Sequence, residues 1–135
     1  MYLENSKTII VKIGSSLIID DKKIIRKKWL LEFAKDIKAL RKKNKNIIIV
    51  SSGAIALGCK KLNIVKKKLK IDQSQAVASV GQIELMNLFK EIFAIQKINI
   101  SQILLTLEDT EIRRLSLIHI SSPRDLSTSR MPSSA

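Results

Sequence analysis

The stretch NIIIVSSGAIALG, residues 46–58, changes character in its middle. Five residues suited to a buried strand give way to two serines, two glycines and two alanines. Small residues let a backbone approach something closely, either another element or a ligand. An earlier stretch, KTIIVKIGSS (residues 7–16), has the same form: a β-branched apolar run that ends in glycine and serine. Short, nearly all-apolar runs of this kind suit strands of a parallel sheet buried on both faces. Between them, residues 24–44 place Leu30, Phe33, Ile37 and Leu40 at steps of three and four, the spacing of one helical stripe. Strand, helix and strand in this order predict a βαβ unit with a right-handed crossover. The fold class is therefore α/β with a mostly parallel sheet.

Downstream, a short helix is expected after SSGAIALG, followed by a basic connector over 60–71. Asp72, with Gln75 three residues later, has the spacing of a capping box. The helix it opens carries Val77, Val80, Leu85, Leu88, Ile92 and Ile95 and ends near Lys97. Residues 99–106 (NISQILLT) have the composition of a third strand. Residues 107–115 begin like another helix, with acids first and arginines last, as the helix dipole favours. Beyond Leu115 the sustained periods stop. Residues 116–135 contain seven serines, both prolines and the sole histidine. They read as a tail, either native and disordered or non-native read-through, so His119, Arg124 and Asp125 receive no catalytic role.

The composition narrows the function. An apolar fraction of 45% over 135 residues suits one folded domain, built on aliphatic residues because only 4% are aromatic. The longest apolar runs fall well short of a membrane span, and the first residues lack the order of a secretion signal. A single cysteine, Cys59, forms no internal disulfide and suits a reducing, cytoplasmic compartment. The net charge of +13 fits two descriptions: lysines on solvated faces, or a basic nucleic-acid-binding module. Scattered lysine clusters with few aromatics between them favour the first.

Chemistry concentrates at the two glycine-serine turns. In an open α/β sheet, ligands sit beyond the carboxyl ends of the strands, so both turns should face one crevice. Backbone N–H groups near Gly14 and Gly53, with the hydroxyls of Ser15, Ser16, Ser51 and Ser52, suit a phosphate or a carboxylate. Lys12 lies in an apolar strand two residues before Gly14. Either its ammonium reaches phosphates at the strand end, or it snorkels to solvent; spacing alone supports both. Other chemistries fail on spacing. Cys59 stands where a P-loop needs lysine, and there is no GxGxxG, no GxSxG and no Cys/His cluster.

Four stretches, VKIGSSLI (11–18), VSSGAIALG (50–58), QAVASVGQ (75–82) and QILLTLEDTEIRR (102–114), resemble the glutamate 5-kinase branch of the amino-acid kinase family in order and approximate spacing. The resemblance implies a partial three-layer αβα sandwich, truncated. Residues 1–115 would form the N-terminal, substrate-side part of the domain, which in the family is about twice as long. It also implies ATP with Mg2+ and L-glutamate as ligands, a homo-oligomer, and no nucleic-acid or membrane partner. The expected reaction is phosphorylation of the glutamate γ-carboxylate to glutamyl 5-phosphate, the first step of proline synthesis. By that likeness Lys12 is catalytic and, with Gly14 and Ser15, binds the ATP phosphates. Ser52, Gly53 and Ala54 would hold the amino-acid substrate. Another amino-acid kinase, such as acetylglutamate kinase, is the alternative within the enzyme class. The chain alone is expected to be inactive.

Overall fold

The computed structural model describes residues 2–105. The chain divides into two compact units, Met1–Ser101 and Gln102–Ala135. In the second unit only residues 102–105 are described, and they have no regular structure. The helix expected over 107–115 and the tail over 116–135 lie outside the described residues.

The first unit begins with a short exposed helix, α1 (Tyr2–Asn5), and continues into strand β1 (Thr8–Ile13). A single helical turn, α2 (Ser15–Ile18), follows, then helix α3 (Lys27–Lys42) and strand β2 (Asn46–Ser51). The two strands pair in parallel, with Thr8 opposite Asn46 and Ile13 opposite Ser51. The predicted βαβ unit is therefore present. Helix α4 (Ala54–Leu62) starts two residues past the end of β2, one 3-10 turn covers Lys66–Lys68, and α5 (Ile71–Ile95) completes the unit.

Helices α3, α4 and α5 each stop at a residue with left-handed backbone: Asn44, Asn63 and Lys97, with φ between 55° and 57°. Asparagine adopts that conformation at low cost, which suits it to the position just past a helix. Behind Asn63, the Ile64 N–H returns to the Cys59 carbonyl at 2.9 Å, satisfying one of the final carbonyls of α4.

One core organises these elements. Ile13 from β1, Ile18 at the end of α2 and Ile19 just after it, Leu30, Ala34 and Ile37 from α3, and Leu57 from α4 meet Leu85, Leu88, Phe89, Ile92 and Phe93 of α5. The α3 stripe matches the spacing, with Phe33 and Leu40 half-buried at its margins. An aromatic chain runs through the core. Trp29 stacks on Phe33 with ring centroids 5.4 Å apart, and Phe33 meets Phe93 edge-on at 6.3 Å. Phe93 in turn lies 6.2 Å from Phe89.

Four expectations need correction. First, the strands are not buried on both faces. Ile9, Val11, Ile13, Ile47 and Ile49 point to the helical core, whereas Ile10, Ile48 and Val50 are 67%, 45% and 50% exposed. The helices α3 to α5 all feed the one cluster, so the described residues supply two layers of the α/β architecture, sheet and helices. Second, residues 99–105 form no strand. Their apolar, β-branched composition is real, but a strand requires a ladder partner, and among the described residues the sheet has two strands, β1 and β2. Ile98 and Ile100 instead rest half-buried against the helical core. Third, α5 begins two residues earlier than the capping pattern placed it. The Lys70 N–H donates to Gln73 Oε1 at 3.0 Å, while Asp72 lies in the first turn. Gln73 supplies the returning half of a capping box, accepting from the Lys70 N–H, while the Lys70 side chain has no acceptor to complete it, so the register shifts. Fourth, the buried stripe of α5 passes through Phe89 and Phe93, and Ile95 is exposed.

Candidate functional site

The parallel register brings the two glycine-serine turns together. Lys12 lies opposite Val50 and Ile13 opposite Ser51, so β1 and β2 end side by side. The Ser52 N–H then donates to the Ile13 carbonyl at 3.1 Å, extending the pairing one step beyond the sheet. Gly53 follows with φ at 127°, a backbone open to glycine and strained for any L side chain. An ideal Cβ placed on Gly53 would lie 3.3 Å from Ile18 Cδ1 and 3.7 Å from Ser15 Cα. The second turn therefore rests against the first.

Each turn opens into a helix. Ser15 starts α2 and Ala54 starts α4. The N–H groups of Ser15, Ser16, Ala54 and Ile55 stand in first turns, where no preceding turn supplies an acceptor. Further on, the Leu17 N–H donates to the Gly14 carbonyl at 3.1 Å and the Leu57 N–H to the Gly53 carbonyl at 2.9 Å. Among the described residues no side chain caps α2 or α4. The result is a ledge of outward N–H donors on adjacent segments, with the positive end of α4 behind one of them. Anions are the natural ligands of such a ledge.

Gly14 differs from Gly53. Its φ is −74°, and a Cβ there would meet nothing within 4 Å. The fold itself leaves open space beside this residue. Ser52 is exposed, and among the described residues its hydroxyl has no hydrogen-bond partner, whereas Ser51 Oγ donates to the Ser52 carbonyl at 3.1 Å. Lys12 shares the exposed face of β1 with Ile10. Among the described residues its ammonium forms no ion pair. It is the cation nearest in sequence to the ledge, and the strand it occupies ends there.

The convergence of two glycine-bearing turns at the ends of parallel strands agrees with a wider likeness. The sequence pattern of the amino acid kinase family matches residues 7–129. The chain belongs to the amino acid kinase family. Relatives carry a more specific name. A protein of Pelagibacter ubique (strain HTCC1062) named glutamate 5-kinase is 75% identical over 117 residues, covering 87% of this chain and 32% of the relative. Glutamate 5-kinases of Ruegeria sp. (strain TM1040) and Sinorhizobium fredii (strain NBRC 101917 / NGR234) are 44% and 47% identical. Those two matches each cover 83% of this chain, and 31% and 28% of the respective relatives. The chain thus spans about a third of the length of the curated relatives it matches.

Within this amino-acid kinase segment, two features of the site were invisible in the sequence. Arg26 braces the first turn from outside it: Nε donates to the Ser16 carbonyl at 2.8 Å, and its backbone N–H to the Ile18 carbonyl at 2.8 Å. In sequence Arg26 is one member of a basic run, and nothing marks it apart from its lysine neighbours. The second feature is the packing of α4 on α5. A Cβ on Gly58 would fall on the Val77 carbonyl oxygen and lie 2.8 Å from Val77 Cγ1. A Cβ on Gly81 would fall on the Ala54 carbonyl oxygen and lie 2.6 Å from the Gly58 nitrogen. The small residues of the second turn therefore admit a neighbouring helix as well as opening space beyond the strands.

A depression of about 200 Å³ lies elsewhere, lined by Ile25, Leu57 and Leu88 with the charged Lys61 and Glu84. It contains none of the residues of the strand-end ledge. Among the described residues no group of three His, Cys, Asp or Glu could hold a metal ion. The donor set at the ledge consists of N–H groups, hydroxyls and an ammonium, which suits phosphate oxygens and does not suit a divalent cation.

Proposed function

We propose that this chain is the substrate-side part of an ATP-dependent glutamate 5-kinase, a cytoplasmic enzyme of proline biosynthesis. The observation that carries the proposal is the contact between the turns at Gly14–Ser15 and Ser52–Gly53, in a chain whose relatives bear that name. In the proposed reaction a γ-carboxylate oxygen of L-glutamate attacks the γ-phosphorus of ATP. The bond from that phosphorus to the β,γ-bridging oxygen breaks, ADP leaves, and glutamyl 5-phosphate remains. Phosphoryl transfer of this kind is mainly a matter of positioning and charge stabilisation. Lys12 would neutralise the phosphate oxygens, and the Gly14 and Ser15 N–H groups would receive them. Ser52, Gly53 and Ala54 would hold glutamate at the start of α4. Mg2+, which ATP chemistry ordinarily supplies to the phosphates, is assigned no protein ligand among the described residues.

The roles separate by kinetics. A chimera in which these residues replace the matching segment of the Pelagibacter ubique glutamate 5-kinase should form acyl phosphate, trapped as hydroxamate, only with glutamate and ATP together. In it, Lys12→Ala should lower kcat by roughly 10²- to 10³-fold, the scale of losing one charge-stabilising donor. Ser52→Ala should instead raise the glutamate KM by about tenfold or more, as a lost hydrogen bond to a charged group does. The 135-residue chain alone should give no turnover. Equal, mild effects of both substitutions would place the chemistry elsewhere. Turnover with N-acetylglutamate in place of glutamate would favour the acetylglutamate kinase alternative.

A further inference from the structure

The glycine pair between α4 and α5 reaches further than packing. Gly81 lies on α5, in the stretch QAVASVGQ, and faces the carbonyl of Ala54, where only a hydrogen fits. Ala54 is the first residue of α4 and directly follows Gly53, the residue with the strained φ. Gly53 in turn abuts Ser15 and Ile18 of the first turn. An unbroken line of close approaches therefore runs from α5 through Ala54 and Gly53 to the opposite turn. The far half of α5 is anchored by the buried residues Leu85, Leu88, Phe89, Ile92 and Phe93. The helix is thus a fixed surface on which the start of α4 rests. Interiors are close-packed, and a displacement at one such contact passes to the next group in line.

We infer that Gly81 is a positioning residue for the amino-acid substrate: it sets where the 52–54 turn stands, and so how glutamate is held. The inference rests on the function proposed above. Gly58 supplies the internal comparison. It belongs to the same helix pair, but the atoms its missing Cβ makes room for are those of Val77 on α5, not those of the 52–54 turn. A purely structural role predicts the same consequences for both glycines. A positioning role predicts that they differ.

The test uses Gly81→Ala and Gly58→Ala in the chimera with the Pelagibacter ubique enzyme, with thermal unfolding and the two Michaelis constants measured side by side. Both substitutions should lower Tm. Gly81→Ala should raise the glutamate KM about tenfold or more, because a misplacement of the order of 1 Å at a positioning element costs that much or more. Its ATP KM should rise less than the glutamate KM, because the first turn stands last in the line of contacts, and Gly58→Ala should leave both constants within about threefold of the parent. An unchanged glutamate KM in Gly81→Ala, or equal rises in both variants, overturns the inference. If Gly81→Ala does not fold, hydrogen exchange in the unsubstituted chimera decides. Saturating glutamate without nucleotide should slow exchange at residues 81–85 together with 52–57. Slowing confined to 52–57 overturns the inference. No glutamate-dependent turnover in the unsubstituted chimera would instead sink the proposed function and this inference with it. Normal turnover with a failed Gly81 arm would sink the inference alone.

Discussion

At the scale of single residues, the two turn glycines have opposite reasons to be glycine. Gly53 needs its φ of 127°, so Gly53→Ala should cost about 1–3 kcal/mol of stability, read from the denaturant midpoint. Gly14 has an ordinary φ and empty space where a Cβ would go. Gly14→Ala should therefore be neutral or stabilise the fold by up to about 1 kcal/mol, by restricting the unfolded chain. If a phosphate approaches the Gly14 backbone, the same variant should lose activity in the chimera while its unfolding midpoint holds or rises. That combination separates a residue kept small for a ligand from one kept small for the chain. Losing both together would mean that Gly14 serves the fold. Sequence alone gave both glycines the same reading, because the two turns have nearly the same composition and backbone angles are not written in it.

At the scale of elements, the sequence was most readable where a period repeats. The α3 stripe and both strands were legible from the spacing of Leu30 and Ile37 and from the runs that end at Ile13 and Val50. The convergence of the turns was legible too, because parallel strands share one carboxyl end. What failed was whatever depends on a partner. Residues 99–105 carry strand-like side chains but have no ladder neighbour among the described residues, and local composition cannot supply one. The start of α5 was misplaced because Asp72 and Gln75 satisfy the same spacing rule as Lys70 and Gln73. Gln73→Ala should cost about 0.5–2 kcal/mol, the scale of a lost N-terminal cap, with Asp72→Ala costing less; thermal unfolding of the two variants checks the assignment. The weight of α5 in the core predicts a larger effect. Phe93, 1% exposed and in contact with Phe33 and Phe89, should cost about 3–5 kcal/mol on truncation to alanine.

At the scale of the molecule, the one-sided sheet matters most. Ile10, Ile48 and Val50 form an exposed apolar strip beside Lys12, on the sheet that β1 and β2 make among the described residues. Such a surface favours association with other chains. Ile48→Thr should raise the concentration at which the 135-residue chain stays monomeric in sedimentation, with the unfolding midpoint changed by less than about 0.5 kcal/mol, as exposed substitutions usually are. A loss of stability instead would mean that the strip is packed. The sole tryptophan also has a use of its own. Trp29 stacks on Phe33 of its own helix, and Phe33 in turn meets Phe93 of α5, so the indole reports on the docking of those two helices through one intervening ring. One fluorophore, with no label added, therefore gives an optical gauge of helix separation, and Phe33→Leu should alter its quantum yield before any change in circular dichroism.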